Sequence, residues 1–463
     1  MSVRRPTFAP SLGLFVLVTA VATTGCVAEE AAPEEQADAV EQSTTGRDTS
    51  TFPAHYARQW MLNLANSQKG DGISPPVAAR AYTYGAIAIY ESVVHGMPGY
   101  RSLAGQLNGL DRLPKPSSSK VYDWPTVLAH TLHIVSNGAA HVYPTRLFFQ
   151  YTTLTQASLT SLGPTQIGYR RAAGISERVI ADSMEYAEQL GGALVGWMKA
   201  DGYDQVRFKG WIEPTGPDKW VPTGFSDTDK VANPVEPYFG TLRPVVLRSP
   251  DECAPAAPPA YSTDPTSAFY TDAKEVHTVS QNMTWERANI ARFWADGPTD
   301  TATPAGHWLA LVTKQVRPGN LADAAAAYAF TSLAYFDAFI AVWESKFDHN
   351  LLRPETYIRR NIDAGWRSFL PTPQFPTYVS GHSGVSGAAA ATLTKQFGDG
   401  AVTDDTKTRR GFAPRTFANY TEAANEAALS RLYGGIHYRF DNERGLEVGR
   451  CVGDKVVRRV RLK

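Results

Sequence analysis

The sequence predicts a mainly α-helical protein with long irregular loops. Apolar segments of helical length recur along the chain, whereas the alternation typical of strands is scarce and no repeat of fixed period is present. Eleven of the 31 prolines lie between positions 214 and 265, where little regular structure can form. We expect this Pro-rich loop, at about 205–265, to wrap over the protein, because its aromatic residues would be exposed to water in a linker.

Four segments carry the helix prediction. The first follows the start signal Ser74-Pro75-Pro76. The last contains the run 324–343, whose single charged residue is Asp337 and whose length would suit a membrane span. Its alanine content and the absence of comparable spans around it favour a buried core helix. The four segments are 77–94, 124–135, 168–198 and 322–345.

The N-terminus has the pattern of an export signal. Arg4 and Arg5 precede an apolar run at 12–22 that is too short to span a bilayer, and small residues lead to Cys26. This resembles a bacterial lipoprotein signal, in which Cys26 is lipidated and anchors the exported protein to the cell envelope. Thr23 departs from that pattern, so plain secretion is the alternative. We expect a signal peptide at 1–25, a disordered acidic tether at 26–52 and one domain at 53–463, whose motifs lie within about 285–463.

The charge balance differs between these segments. The whole chain has 45 basic and 45 acidic residues, but without segments 1–25 and 27–50 the remainder has 42 basic and 38 acidic residues. This small excess argues against nucleic acid as a partner and is compatible with a small anion. Membrane contact is expected only through the N-terminal lipid, and no oligomeric state is predicted.

Two further cysteines, Cys253 and Cys451, remain once Cys26 is assigned to the lipid. In an exported protein they are candidates for a disulfide. Two unrelated buried thiols are the alternative.

Three short stretches in the last third of the chain combine cations, small residues and histidines. In the first, Lys346 precedes Arg353-Pro354. Because proline disfavours helical geometry in the residue before it, the helix that holds Lys346 should end before Arg353. We expect Arg353 to be presented from an extended segment.

In the second stretch, Ser380-Gly381-His382 leads into an Ala-rich run. Ser380 and Gly381 would then lie at a helix N-terminus, where unpaired N–H groups and the helix dipole favour an anion. In the third, six positions separate Arg431 from His437, which is about 240° on a continuous helix. A Gly-Gly pair between them can break the helix, so that both side chains face one site.

Together the three stretches predict an oxyanion site. Lys346, Arg353 and Arg431 supply cationic donors for a tetrahedral group, and Ser380 and Gly381 add neutral donors. The two histidines have separable roles: His437 can bond to the central atom, and His382 can move protons.

The pattern Lys-x6-Arg-Pro, Ser-Gly-His and Ser-Arg-x5-His-x3-Asp resembles that of the vanadium-dependent haloperoxidase and type 2 phosphatidic acid phosphatase superfamily. The match spans about a hundred residues and includes every charged position. Two aromatic residues favour the haloperoxidases, since Trp343 and Phe375 are placed as in chloroperoxidases. Val379 departs from the usual proline before Ser-Gly-His. The upstream segment around Asp296 is similar to one whose aspartate pairs with an active-site arginine.

The resemblance implies a helical bundle and one vanadate per chain as cofactor. It implies that hydrogen peroxide oxidises a halide to a hypohalous acid that halogenates an organic acceptor, with His382 as acid/base and Lys346 polarising the peroxide. Asp296 and Asp441 would orient a cation and a histidine, or form ordinary core salt bridges. The implied vanadate contacts are Lys346, Arg353, Ser380, Gly381 and Arg431, with His437 as the apical ligand and Trp343 and Phe375 beside the halide site.

Two other functions are compatible with the same residues. In a secreted acid phosphatase, His437 would be the nucleophile that forms a phosphohistidine, and His382 would protonate the leaving alcohol of a phosphomonoester. In a non-catalytic surface lipoprotein, the site would be a residual anion site. Direct roles for His307, Asp348 and His349 are not expected.

Overall fold

Helices dominate the structure, which confirms the predicted fold class. The computed structural model describes residues 48–137, 153–223 and 234–463. The signal segment, Cys26 and most of the tether lie outside the described residues. The elements are α1 (His55–Gly70), α2 (Pro75–Val93), α3 (Trp124–Asn137), α4 (Thr153–Ala172), α5 (Glu177–Lys199), α6 (Tyr203–Val206), α7 (Ala268–Gln281), α8 (Trp285–Phe293), α9 (Pro298–Thr301), α10 (Thr303–Gln315), α11 (Leu321–His349), α12 (Pro354–Asn361), α13 (Gly381–Phe397), β1 (Val402–Asp404), β2 (Arg415–Phe417), α14 (Tyr420–Tyr433) and α15 (Arg439–Arg459).

The described residues include 48–52, which the sequence assigns to the tether. Thr49 is buried, and its Oγ1 donates to the carbonyl oxygen of Val93 at 3.0 Å. Phe52 is buried in the core as well. The Thr49 hydrogen bond and the buried Phe52 ring therefore attach residues 48–52 to the helices. The packed structure begins a few residues before the predicted boundary at Pro53.

The central helix is α11. In the described part of the chain it is the one helix long and apolar enough to cross a membrane, but its most apolar window is entirely buried. It packs against α2 on one side and α13 on the other. A helix that is apolar on every face and surrounded by other helices is a core helix, and its last turn carries Lys346 towards the site.

Glycines bring α13 and α15 into close contact. A Cβ added to Gly449 would lie 2.1 Å from the carbonyl oxygen of Gly384, and one added to Gly445 would lie 2.7 Å from that of Ser380. Side chains at these positions would force the two helices apart. The close approach sets the start of α13 beside the start of α15, so Ser380 lies next to the segment that carries His437.

The single helix predicted over 168–198 is wrong. The chain forms two helices there, because α4 ends at Ala172 and α5 begins at Glu177. Between them Gly174 has a φ of +85°, and Ser176 caps α5 by accepting a hydrogen bond from the Val179 N–H. A left-handed glycine followed by a serine cap ends one helix and starts the next.

The Pro-rich loop wraps over the helices, and outside 224–233 its described residues form only short helical turns. Trp220 within it is buried. Asp337, the single charge in the apolar run of α11, accepts hydrogen bonds from the N–H groups of residues 245–247 at 2.7–2.8 Å. A disulfide joins Cys253 of the loop to Cys451 of α15, which answers the question that the sequence left open. The loop is thus fixed to the core by a buried carboxylate and a covalent bond.

A small hairpin was not predicted from the sequence. Strands β1 and β2 pair antiparallel, with Val402 opposite Phe417 and Asp404 opposite Arg415. Three residues per strand are too few for alternation to be recognisable. The hairpin packs close to α14, and its loop carries Lys407 into the interior, where this lysine is buried.

Candidate active site

The first predicted stretch has the expected geometry. Helix α11 ends at His349, Asn350 follows with a φ of +47°, and Arg353 is extended with ψ of 154°. Pro354 is the first residue of α12, as its fixed φ favours. Lys346 and Arg353 therefore come from different elements, and both are buried.

The second and third stretches also adopt the predicted conformations. Ser380 caps α13, and Gly381 and His382 form its first turn. Helix α14 ends at Tyr433, and Gly435 after it has a φ of +74°. The turn lets both Arg431 and His437 face one cavity.

That cavity has a volume of about 600 Å³. Gly381, His382, Arg431 and His437 line one part of it together with Asp296, whereas Lys346, Arg353 and Ser380 are buried and do not line it. Most of the remaining wall is apolar. It includes Phe339, Trp343, Leu370, Pro371, Pro373 and Phe375.

The three predicted cations are bonded to backbone carbonyls. Lys346 Nζ donates to the carbonyl oxygens of Pro376 and Thr377, each at 2.9 Å. Arg353 donates to the carbonyl oxygens of Phe375 and Ile436, and Arg431 to that of Trp294. Among the described residues, no carboxylate oxygen lies within 4.0 Å of any of these cations. Their charge is left for a ligand to compensate.

Burial without a carboxylate partner shifts the pKa of each cation downwards. Desolvation, reinforced by the nearby Arg353, holds the pKa of Lys346 well below its usual value. Desolvation also lowers the pKa of Arg353 to about 9 and that of Arg431 to about 10. An anion bound among them would favour their charged forms.

Several buried donors point to the same ligand. In the described structure, Arg353 Nη2, Arg431 Nε and His382 Nε2 are buried without a hydrogen-bond partner. Unpaired buried N–H groups are costly unless a ligand satisfies them. The donor set, cations plus the N-terminus of α13, suits an oxyanion such as vanadate.

His437 is held in one orientation by its neighbours. Its Nδ1 lies 2.9 Å from Asp441 Oδ2 and 3.1 Å from Thr377 Oγ1. Desolvation and the cations Arg353 and Lys346 hold the pKa of His437 well below its usual value. The ring is therefore neutral, and with its proton on Nδ1 towards Asp441, Nε2 carries the lone pair. Nε2 now accepts from Arg353 Nη1 at 3.0 Å.

Asp296 lies beside His382 and lines the same cavity. Its Oδ2 is 3.7 Å from His382 Nε2, beyond hydrogen-bond distance. The carboxylate is hydrogen-bonded to His307, Thr301 and Lys407. The cation beside Asp296 is thus Lys407, while Arg431 has no hydrogen bond to it in the described structure.

Sequence reasoning missed four residues around the site. His307, for which no direct role was expected, is buried between Asp296 and Asp404. Asp404 and Lys407 belong to the unpredicted hairpin, and no local motif marks them. Thr377 donates a hydrogen bond to Asp441. Of the four, it alone lies close in sequence to a predicted motif, three positions before Ser380, and this position could have marked it as a site residue. By contrast, His349 packs on Tyr378 with ring centroids 5.1 Å apart, away from the cavity.

Two aromatic rings cover the cations on the cavity side. Trp343 and Phe375 have ring centroids 5.0 Å apart. Lys346 Nζ lies 5.1 Å from the Phe375 ring centroid, and Arg353 Cζ lies 4.9 Å from it. These distances are typical of cation–π contacts. The rings therefore screen the cations from water next to the anion site.

Comparison with known proteins identifies the family. The family model of the VCPO second helical-bundle domain matches residues 326–462, which include all three stretches. No curated protein matches the chain. The chain is similar to a bacterial vanadium-dependent iodoperoxidase of known crystal structure, with 34% sequence identity and a TM-score of 0.79. The match covers 89% of this chain and 97% of that chain.

Two further structures share the fold at lower identity. The apo form of a bacterial vanadium-dependent chloroperoxidase is 15% identical with a TM-score of 0.60, covering 83% of this chain and 94% of that one. A holo form is 14% identical with a TM-score of 0.59, covering 90% and 98%. With the iodoperoxidase match, the chain belongs to the bacterial vanadium-dependent haloperoxidases.

Proposed function

We propose that this protein is a vanadate-dependent haloperoxidase that oxidises iodide with hydrogen peroxide. One observation carries the proposal: three buried cations without carboxylate partners surround a neutral, oriented histidine in the wall of an apolar cavity. The 34% identical iodoperoxidase supports iodide as the halide. A non-catalytic protein with a residual anion site would not need His382, whose proposed role is proton transfer.

The proposed vanadate contacts come from five parts of the chain: α11, the start of α12, the start of α13, α14 and the turn between α14 and α15. Ser380 and Gly381 are at the N-terminus of α13, where N–H groups and the helix dipole favour an anion. His437 would coordinate through Nε2 once Arg353 Nη1 moves onto an oxyanion oxygen. Bound there, vanadate supplies a Lewis acid that activates peroxide towards a halide. The full set is Lys346, Arg353, Ser380, Gly381, Arg431 and His437.

His382 is the proposed acid/base. Desolvation and the neighbouring Arg431 hold its pKa well below the usual value, so the imidazole is neutral and able to take a proton from peroxide. Its Nε2 has no hydrogen-bond partner in the described structure and lies at the cavity wall. With an anion bound, which favours the charged forms of Lys346 and Arg431, both place positive charge next to the reacting oxygens and stabilise negative charge that develops there.

The cavity wall suits a weakly hydrated halide and an apolar organic acceptor. Phe375 and Trp343 form an aromatic surface over Lys346 and Arg353. A halide that leaves its water at this surface is attracted by the cations beneath it. Iodide is the largest and least strongly hydrated of the common halides, so it gives up the least hydration free energy when it leaves water.

A phosphatase activity is the competing function, since the same donors fit a tetrahedral phosphate ester. The test uses protein purified without phosphate and assayed with and without orthovanadate. We expect vanadate-dependent halogenation of a β-diketone dye with iodide and peroxide, and little hydrolysis of an aryl phosphate by the vanadate-free protein. Aryl phosphate cleavage without halogenation under any halide would refute the haloperoxidase proposal.

We further propose that the protein is exported and anchored through a lipid on Cys26. The disulfide between Cys253 and Cys451 supports an oxidising compartment. Expression of the full chain in a bacterial host with radiolabelled palmitate should label the wild type and not Cys26→Ala. Label on neither protein, with both in the soluble periplasmic fraction, would favour plain secretion.

A further inference from the structure

A buried cluster of charges beside His382 has no place in the mechanism above. It consists of Asp296, His307, Asp404 and Lys407, and we call it the rear cluster. All four residues are buried. Two come from the segment around α9 and α10, and two come from the β1–β2 hairpin, so the cluster joins parts of the chain that are about a hundred residues apart.

The two oxygens of Asp296 have different surroundings. Oδ1 accepts from Thr301 Oγ1 at 2.9 Å, from His307 Nδ1 at 3.0 Å and from Lys407 Nζ. Oδ2 is 3.1 Å from His307 Nδ1 and 3.7 Å from His382 Nε2. Donors thus concentrate on Oδ1, and the oxygen that faces His382 remains just beyond hydrogen-bond distance.

The other side of His307 is also fixed. Its Nε2 lies 2.6 Å from Asp404 Oδ2, and Trp294 stacks on its ring with centroids 4.4 Å apart. The same Trp294 accepts a hydrogen bond from Arg431 through its carbonyl oxygen at 2.6 Å. The rear cluster therefore lies next to the proposed acid/base and is connected through Trp294 to Arg431, one of the proposed oxyanion donors.

We propose that Lys407 is a positioning residue for His382. By binding Asp296 through Oδ1, its ammonium group keeps the carboxylate from closing the 3.7 Å gap to His382 Nε2. Without it, the buried carboxylate has one cation fewer and would attract an N–H on His382 Nε2, the next nitrogen within reach after His307. With that N–H held by Asp296, Nε2 has no lone pair with which to accept a proton from peroxide.

The inference rests on the proposed role of His382 and adds the hairpin to the functional site.

The main test is Lys407→Met, which keeps the length of the side chain and removes its charge. In its crystal structure, we expect the distance from Asp296 Oδ2 to His382 Nε2 to fall below about 3.2 Å. We also expect kcat/KM for peroxide to fall at least about tenfold, since general acid/base catalysis contributes 10²–10⁴, while vanadate affinity by equilibrium dialysis changes far less.

The matched control is Lys314→Met. Lys314 holds the same hairpin through Thr403 and Asp405, but from the partly exposed side and without contact to the rear cluster. Its loss should change kcat/KM by less than about threefold. The double variant Asp296→Asn/Lys407→Met removes the unpaired carboxylate and should have a higher kcat/KM per folded protein than Lys407→Met alone, with the folded fraction taken from urea unfolding curves. Lys407→Arg keeps the charge and should retain most of the activity.

Two results would overturn the inference: an unchanged 3.7 Å separation in Lys407→Met, or a kcat/KM equal to that of Lys314→Met. The His382→Ala variant separates this failure from failure of the proposed function. If His382→Ala keeps full activity, the acid/base assignment is wrong, and the crystallographic distance still tests the effect of Lys407 on Asp296.

Discussion

Replacement of His437 by alanine should abolish vanadate binding and haloperoxidase activity together. The imidazole is the only proposed ligand to the central atom, and Asp441 and Thr377 fix its orientation. Changes in residues that merely orient a metal ligand cost 10–100-fold in affinity, so loss of the ligand itself should raise the dissociation constant by more than about 100-fold. Equilibrium dialysis against orthovanadate measures it.

The matched control is His349→Ala. His349 is a partly buried histidine that packs on Tyr378 and does not line the cavity. It should bind vanadate as the wild type does. If His437→Ala folds, as judged by its urea unfolding curve, and still binds vanadate with wild-type affinity, the apical assignment is wrong.

Replacement of Arg431 by alanine should cost about 3 kcal/mol of transition-state stabilisation, the typical loss for one oxyanion donor. This corresponds to a fall of about a hundredfold in kcat/KM for peroxide. Arg431 is buried at the cavity wall, and its Nε has no hydrogen-bond partner in the part of the chain that is described. Steady-state kinetics at saturating vanadate measures the loss.

Two further variants show whether the loss in Arg431→Ala comes from the missing guanidinium group at the anion site. Arg431→Lys keeps a charge but not the planar fork, so it should recover only part of the activity. Arg439→Ala removes an arginine whose exposed pair with Glu275 lies outside the cavity, and it should change kcat/KM by less than about threefold. An Arg431→Ala effect no larger than that of Arg439→Ala would show that Arg431 does not act on the bound anion.

The helix ends around the site were predictable because each depends on a local rule. Pro354 fixes Arg353 in extended geometry, Ser380 caps α13, and the glycine pair ends α14. Each rule involves neighbouring residues only, so the sequence contains the needed information. The Pro-rich loop was predicted from its composition instead, and Trp220 and Phe239 within it are buried as expected, whereas Phe208 is exposed.

The residues that sequence reasoning missed depend on contacts between distant segments. Lys407 reaches Asp296 across 111 positions, and His307 reaches Asp404 across 97. Neither pair has a spacing that a helix or strand would produce. Likewise, the sequence shows Asp337 only as a single charge in an apolar helix. It does not reveal that this carboxylate accepts hydrogen bonds from three backbone N–H groups of the Pro-rich loop.

The break between α4 and α5 shows a different limit. The apolar pattern continues through 168–198, and the prediction gave it more weight than Gly174 and Ser176. In the structure these two residues decide the outcome, with a left-handed glycine and a side-chain cap. A local turn signal overrode the hydrophobic pattern.

The most direct test of the haloperoxidase assignment is a titration of phosphate-free protein with orthovanadate, followed by iodide oxidation at each step. We predict that activity rises linearly and saturates at one vanadate per chain, and that inorganic phosphate competes for the same site. Iodide oxidation that is independent of vanadate, or vanadate that binds without producing any oxidation of iodide, would contradict the assignment.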